Sequence, residues 1–265
     1  MMKSVRRRRQ KRKEIFGMIG IIAIFIIAGT GYYFIQSNTD ALDEYQCSIK
    51  NGPNEVTAII FDKSQAYTND QVVDIKTSFN LWLAGKESNI KDRPIDLDIF
   101  REGNLVQLYV TDQESLDKTE GLSPIAQLCV PKDFRDANEW IENPAFLKKN
   151  YDKFISTFSS TIESLTEQAE GKSPIMETFL RISNSESFQS YSDKPHNLLV
   201  ISDMLQHSDN YSHYKSTEGP SWNVFEKKLG DTVYTKIRLK NVSLFIEIPL
   251  YLFIVIFYTF YYYLW

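Results

Sequence analysis

The chain has 265 residues, 43% hydrophobic and 24% charged, with a formal net charge of −4. That balance suffices for a packed core and excludes wholesale disorder. Residues 1–14 hold eight Lys/Arg and one Glu, so the remaining 22 basic and 33 acidic residues give the body a net charge of −11; an acidic body argues against a nucleic-acid partner, which needs a basic face.

The basic segment 1–14 is followed by Ile15–Ile35, 21 residues without a charge. About 20 such residues span a bilayer as a helix. The basic flank puts its amino side in the cytoplasm, and Tyr32 and Tyr33 suit the far interface. A cleavable signal peptide is the alternative, but its apolar region is shorter and no small-x-small site follows Phe34. The expectation is an integral membrane anchor at 15–35, with the body outside the cytoplasm; in a bacterium the membrane is the inner one of the envelope. A polar linker follows over 36–54, ending in the Gly52-Pro53 turn. Cys47 and Cys129 are the only cysteines. Outside the cytoplasm a disulfide between them is one reading, and two unpaired thiols or small buried hydrophobes the other.

Val56–Phe61 is a run of apolar and β-branched residues, as in a strand covered on both faces, and Asp62 stands where it leaves the sheet. Asn69 or Asp70 is placed to cap a helix carrying Val72, Ile75, Phe79 and Leu83. Ile95–Phe100 alternates apolar and acidic residues, with Asp96 and Asp98 on an exposed strand face. The turn Arg101–Asn104 is too short for a crossover, so this strand and Leu105–Val110 are expected to form an antiparallel hairpin. Residues 112–133 read as an irregular connection. From Phe134 to Glu170 the pattern is helical, with a stripe of Phe154, Phe158, Ile162 and Leu165, and Pro144 is expected to divide it in two. Ser173-Pro174 reads as a helix cap and first turn. A second largely apolar strand, His196–Ile201, ends in Ser202-Asp203. A short helix follows around Trp222–Leu229, then a strand at Val242–Ile248. Ile248–Trp265 is 18 residues without a charge, and 249–265 is either a second membrane helix or a core helix.

Four side chains are expected to converge: Asp62 and Ser64 after one strand, Ser173 at a helix start, and Asp203 after another strand. Ligands gather at the carboxyl ends of strands where the strand order reverses. Carboxylates and hydroxyls are the oxygen donors that Mg²⁺ takes, with a position left for a partner's carboxylate.

In these motifs the chain resembles the von Willebrand factor A-like (integrin I-like) family. That family's metal-ion-dependent adhesion site is written D-x-S-x-S after the first strand, a Thr or Ser in a G-x-T/S-like loop, and an Asp after the fourth strand. Asp62-Lys63-Ser64-Gln65-Ala66 matches the first motif except at Ala66, which removes one hydroxyl. Gly171-Lys172-Ser173 matches the second and Leu199–Asp203 the third. The resemblance implies an α/β domain over 55–248, with a doubly wound, mostly parallel sheet and an antiparallel edge hairpin. It also implies a degenerate adhesion site with Asp62, Ser64, Ser173 and Asp203 around Mg²⁺, and a protein partner rather than an enzyme's substrate. Lys63 stands inside the motif, where its ammonium is a candidate substitute for the cation's charge. The competing class is a membrane-anchored, phosphatase-like hydrolase using Asp62, although such a site wants an acid where Ser64 stands. His207 and His213 lie six apart without the neighbours a zinc site needs, and are expected to be surface loop residues.

Overall fold

The computed structural model describes residues 17–33, 41–64, 66–84, 100–111, 122–138, 142–166, 169, 171–215, 222–230 and 242–247. The chain divides into two compact units, Met1–Ala41 and Leu42–Trp265. In the first, residues 17–33 form a helix, α1, whose side chains are exposed, including Ile24, Phe25 and Ile27. Among the described residues no helix is long and apolar enough to cross a membrane. The expected span 15–35 continues past the described helix at both ends, and the apolar stretch 248–265 lies outside the described residues.

The second unit is built on β1 (Val56–Asp62), which is buried along its whole length. Its neighbours are β2 (Leu105–Thr111) and β4 (His196–Ile201), both parallel to it. The antiparallel strand β3 (Ala126–Cys129) lies beyond β2, and the parallel strand β5 (Val242–Glu247) beyond β4, so the order is β3-β2-β1-β4-β5. This is a mixed α/β fold with a mostly parallel five-stranded sheet. After β1 the chain builds outward to β2 and β3, then returns to the other side of β1 for β4. The order therefore reverses between β1 and β4.

Alternate residues of each strand face opposite sides, and both sides are covered. One side carries Ile59, Phe61, Leu108, Leu199 and Ile201 against α2 (Asn69–Ala84) and α3 (Pro144–Thr166), which contribute Ile75, Phe79, Phe154, Phe158 and Ile162. Rings of Phe79 and Phe158 lie 6.0 Å apart, and those of Phe154 and Phe158 4.8 Å apart. The other side carries Val56, Ala58, Ile60, Leu198 and Val200 against Ile175, Phe179 and Ile182 of α4 (Ile175–Ser183) and Phe188 of α5 (Glu186–Gln189). Two-sided cover explains why β1 and β4 are apolar on both faces over Ala58–Phe61 and Leu198–Ile201. The last helix, α6, is Trp222–Leu229.

Several expectations are corrected. The antiparallel neighbour of β2 is β3, from the stretch read as irregular, and not the 95–99 segment: both edges of β2 over Leu105–Leu108 are taken, by β1 and β3. A four-residue strand carrying Gln127 shows too little periodicity to be seen in sequence. Residues 95–99, with Asp96 and Asp98, lie outside the described residues. Pro144 opens α3 rather than dividing a longer helix, and the Asn143 side chain caps it by accepting from the amides of Ala145 (3.0 Å) and Phe146 (3.3 Å). At α2 the cap is Thr68, one residue earlier than expected. Its amide donates to Gln71 Oε1 (2.9 Å) and its hydroxyl accepts from the Gln71 amide (3.3 Å), a reciprocal capping box.

Part of the expected linker belongs to the second unit. Cys47 and Cys129 form a disulfide across 82 residues of chain, and the Cys129 amide donates to Tyr45 O at 2.8 Å. In the chain-entropy account, closing a loop of that length stabilises the fold by about 4 kcal/mol. At the same end of the sheet Gly103 adopts φ +81, a turn conformation that favours glycine.

Candidate functional site

The register of the sheet decides what surrounds Asp62. Asp62 pairs with Thr111, the last residue of β2, and Phe61 pairs with Ile201, the last of β4. Ser202 therefore arrives beside Asp62 from the other side. Asp62 is 2% exposed. Its Oδ1 accepts from the Ser64 amide (3.0 Å) and the Thr111 hydroxyl (3.0 Å), and its Oδ2 from the hydroxyls of Ser173 (2.7 Å) and Ser202 (2.5 Å). Four donors on one carboxylate compensate the cost of taking it out of water. The Tyr67 hydroxyl also donates to the Asp62 carbonyl oxygen, at 2.5 Å.

Three loops meet here. The Gly171 amide donates to Ser64 O (3.1 Å), with Gly171 at φ +72. Ser173 and His207 exchange both backbone hydrogen bonds at 2.8 Å each, an isolated antiparallel bridge. Ser173 is not the cap of α4: Pro174 holds that position without a side-chain bond, and the Ser173 hydroxyl is turned to Asp62 instead. A proline at the cap leaves the amide of Met176 for another acceptor, which Gln206 Oε1 supplies at 3.0 Å.

Asp203 sits beside this group, half-buried, its Oδ1 accepting from the Leu205 amide (2.9 Å). Burial pushes its carboxyl above the ordinary value and the nearby Asp62 charge pushes it further, while the hydrogen bond from the Leu205 amide and then His213 oppose them. Met204, next in the chain, has φ +61, a conformation that costs a non-glycine residue on the order of 1 kcal/mol, and its amide donates to Ser202 Oγ at 2.9 Å.

The structure thus brings Asp62 and Ser173 into direct contact. It ties Ser64 to Asp62 through the backbone and sets Asp203 close enough to feel the Asp62 charge. Thr111 and Ser202 were not read from the sequence. Each is a hydroxyl at a strand's carboxyl end, a signal visible only once the strands are known to flank β1. Ala66 is exposed. His207 and His213 are half-buried rather than on the surface, His207 Nδ1 lying 2.7 Å from Ser212 Oγ.

The donor set is all oxygen, the kind a hard cation takes. Among the described residues no group of three or more His, Cys, Asp or Glu gathers to hold a metal. A cation held here takes at most two carboxylates, from Asp62 and Asp203, and completes its shell with hydroxyls and water. The hydroxyls of Ser173 and Thr111 keep lone pairs while donating to Asp62, and that of Ser202 keeps one beside the bond it accepts from the Met204 amide, so the hydroxyl oxygens present fit such an ion. No protein-family model matches the chain, and no curated protein matches it.

Proposed function

We propose that this protein is a membrane-tethered, von Willebrand A-like module that binds another protein through a Mg²⁺ held by Asp62, Ser64, Ser173 and Asp203. The observation that carries this reading is the convergence of two acids and a ring of hydroxyls at the point where strand order reverses. The sheet order with one antiparallel strand beside β2 also supports it. The ion supplies a positive centre that a partner's carboxylate completes. Asp62, buried under four donors, orients the hydroxyls; Asp203 is half-buried beside them. The tether is residues 15–35, with the basic segment 1–14 in the cytoplasm and the second unit outside, where a disulfide persists.

The hydrolase reading is weaker. A phosphatase-like site wants a second acid two positions after the nucleophile, and Ser64 stands there instead.

The test is crosslinking capture of partners by the full chain in its membrane, with Mg²⁺ and with a chelator. Capture lost on chelation and in Asp62→Asn supports the reading. Capture indifferent to both removes the cation from it, and turnover of a phosphoester abolished by Asp62→Asn favours the hydrolase. Ala66→Ser restores the missing hydroxyl at an exposed position and is expected to tighten Mg²⁺ binding severalfold without changing the melting temperature.

A further inference from the structure

The loop after β4 carries Asp203, yet much of what it buries is polar: Gln206 at 2%, Ser208 at 6% and Ser212 at 8% exposure. Buried polar groups in a loop need partners. One residue of α4 supplies an acceptor to two of them, while Ser212 Oγ lies 2.7 Å from His207 Nδ1 within the loop. Glu177 Oε2 accepts from Gln206 Nε2 (2.6 Å), and its Oε1 from Ser208 Oγ (2.6 Å) and Asn210 Nδ2 (3.2 Å). The other end of the Gln206 amide accepts from the Met176 amide, next to Glu177 in the first turn of α4. Three side-chain donors from one loop therefore close on a single carboxylate of the helix that Ser173 leads into.

We propose that Glu177 is a positioning residue for the candidate site. It clamps residues 205–210 onto the first turn of α4, so that Asp203 and Ser173 are held as one body against Asp62. This rests on the cation-site reading above. The backbone bridge between Ser173 and His207 joins the same two segments, but it is two hydrogen bonds at one point. Glu177 fixes the loop at three further side chains, on both sides of His207. Without it, the half-buried Asp203 is carried by a loop in which the buried Gln206 amide and Ser208 hydroxyl have lost this acceptor.

The test compares Glu177→Ala, Glu177→Gln and the unmodified full chain by amide hydrogen exchange and by Mg²⁺ titration calorimetry. In Glu177→Ala, exchange over 204–213 is expected to rise at least tenfold while β1 and β4 stay protected, and the Mg²⁺ Kd to rise at least tenfold. Glu177→Gln keeps one carbonyl acceptor and is expected to recover part of both. Unchanged exchange in the loop, or a uniform rise through the strands, overturns the proposal. A loosened loop with unaltered Mg²⁺ affinity overturns it as well. If the unmodified chain binds no Mg²⁺, the cation reading fails by itself, and the clamp then stands or falls on the exchange pattern.

Discussion

The two ends of the central strands solve one problem with different chemistry. At the amino end Glu55, just before β1, accepts from the side-chain amides of Asn104 (3.3 Å) and of Asn197 in β4 (3.0 Å). At the carboxyl end Asp62 accepts from Thr111 of β2 and from Ser202 after β4, with Ser173 added. In both places an acid on the β1 side ties β2 to β4. An amide nitrogen only donates, so the Glu55 tie is complete as it stands. A hydroxyl donates and still accepts, so the Asp62 tie has lone pairs left to offer. The amino end is also braced by the disulfide, since Cys129 pairs with Leu105 at the start of β2. A covalent staple at one end leaves the other to loops held by hydrogen bonds, which is where a ligand site belongs.

Removing the two acids is the sharpest way to break this contrast. Asp62→Ala leaves three buried hydroxyls without their acceptor and is expected to cost about 4 kcal/mol in urea unfolding, with Mg²⁺ binding lost. Reduction of the disulfide, or replacement of both Cys47 and Cys129 by Ser, is expected to cost up to about 4 kcal/mol without moving Mg²⁺ affinity, because the lost constraint lies at the far end. Glu55→Ala, at a half-buried acid with two donors, is expected to cost about 1–2 kcal/mol, again with Mg²⁺ affinity unchanged. If Glu55→Ala weakens Mg²⁺ as much as Asp62→Ala does, the two ends are not distinct and the contrast collapses.

The smallest effect is one of pH, also at the amino end. His196 opens β4, buried against Phe188 with ring centroids 4.2 Å apart. Burial holds its imidazole below the ordinary 6.5, although the carbonyls of Phe188 and Lys194 and the charge of Asp193 oppose it. A lowered folded value means the unfolded chain takes the proton first as pH falls. Stability from this group is full above about 6.5 and is lost as pH drops below it toward the folded value. The urea midpoint is expected to fall by a few tenths of a molar over that interval, and His196→Gln to flatten the fall. A midpoint that rises on acidification would contradict the buried neutral ring.

Much of the sheet was legible before any fold was known. Val56–Phe61 and His196–Ile201 are apolar at most positions, Thr57, His196 and Asn197 apart, because both faces of each strand are buried, and that is a local pattern. The acids that close them, Asp62 and Asp203, were legible as the charges that end each apolar run, but Asp62 is itself buried as the last residue of β1, which the pattern did not show. Thr68 as the cap of α2 was missed because the capping box lies one residue outside the apolar periodicity. β3 was missed because four residues with Gln127 among them look like a loop until β2 offers them an edge.

The sequence by itself determined the buried strands, the helices that flank them and the two acids at strand exits, since these follow from hydrophobic period and from the cost of burying charge. Only the tertiary structure decided that β2 and β4 both flank β1, and with that the identity of the hydroxyls on Asp62. It alone turned Ser173 from a helix cap into a donor to that carboxylate. It also joined Cys47 to Cys129 and closed the post-β4 loop on Glu177. Pairing between segments far apart in the chain depends on which surfaces meet when the core forms, and no local pattern carries that information.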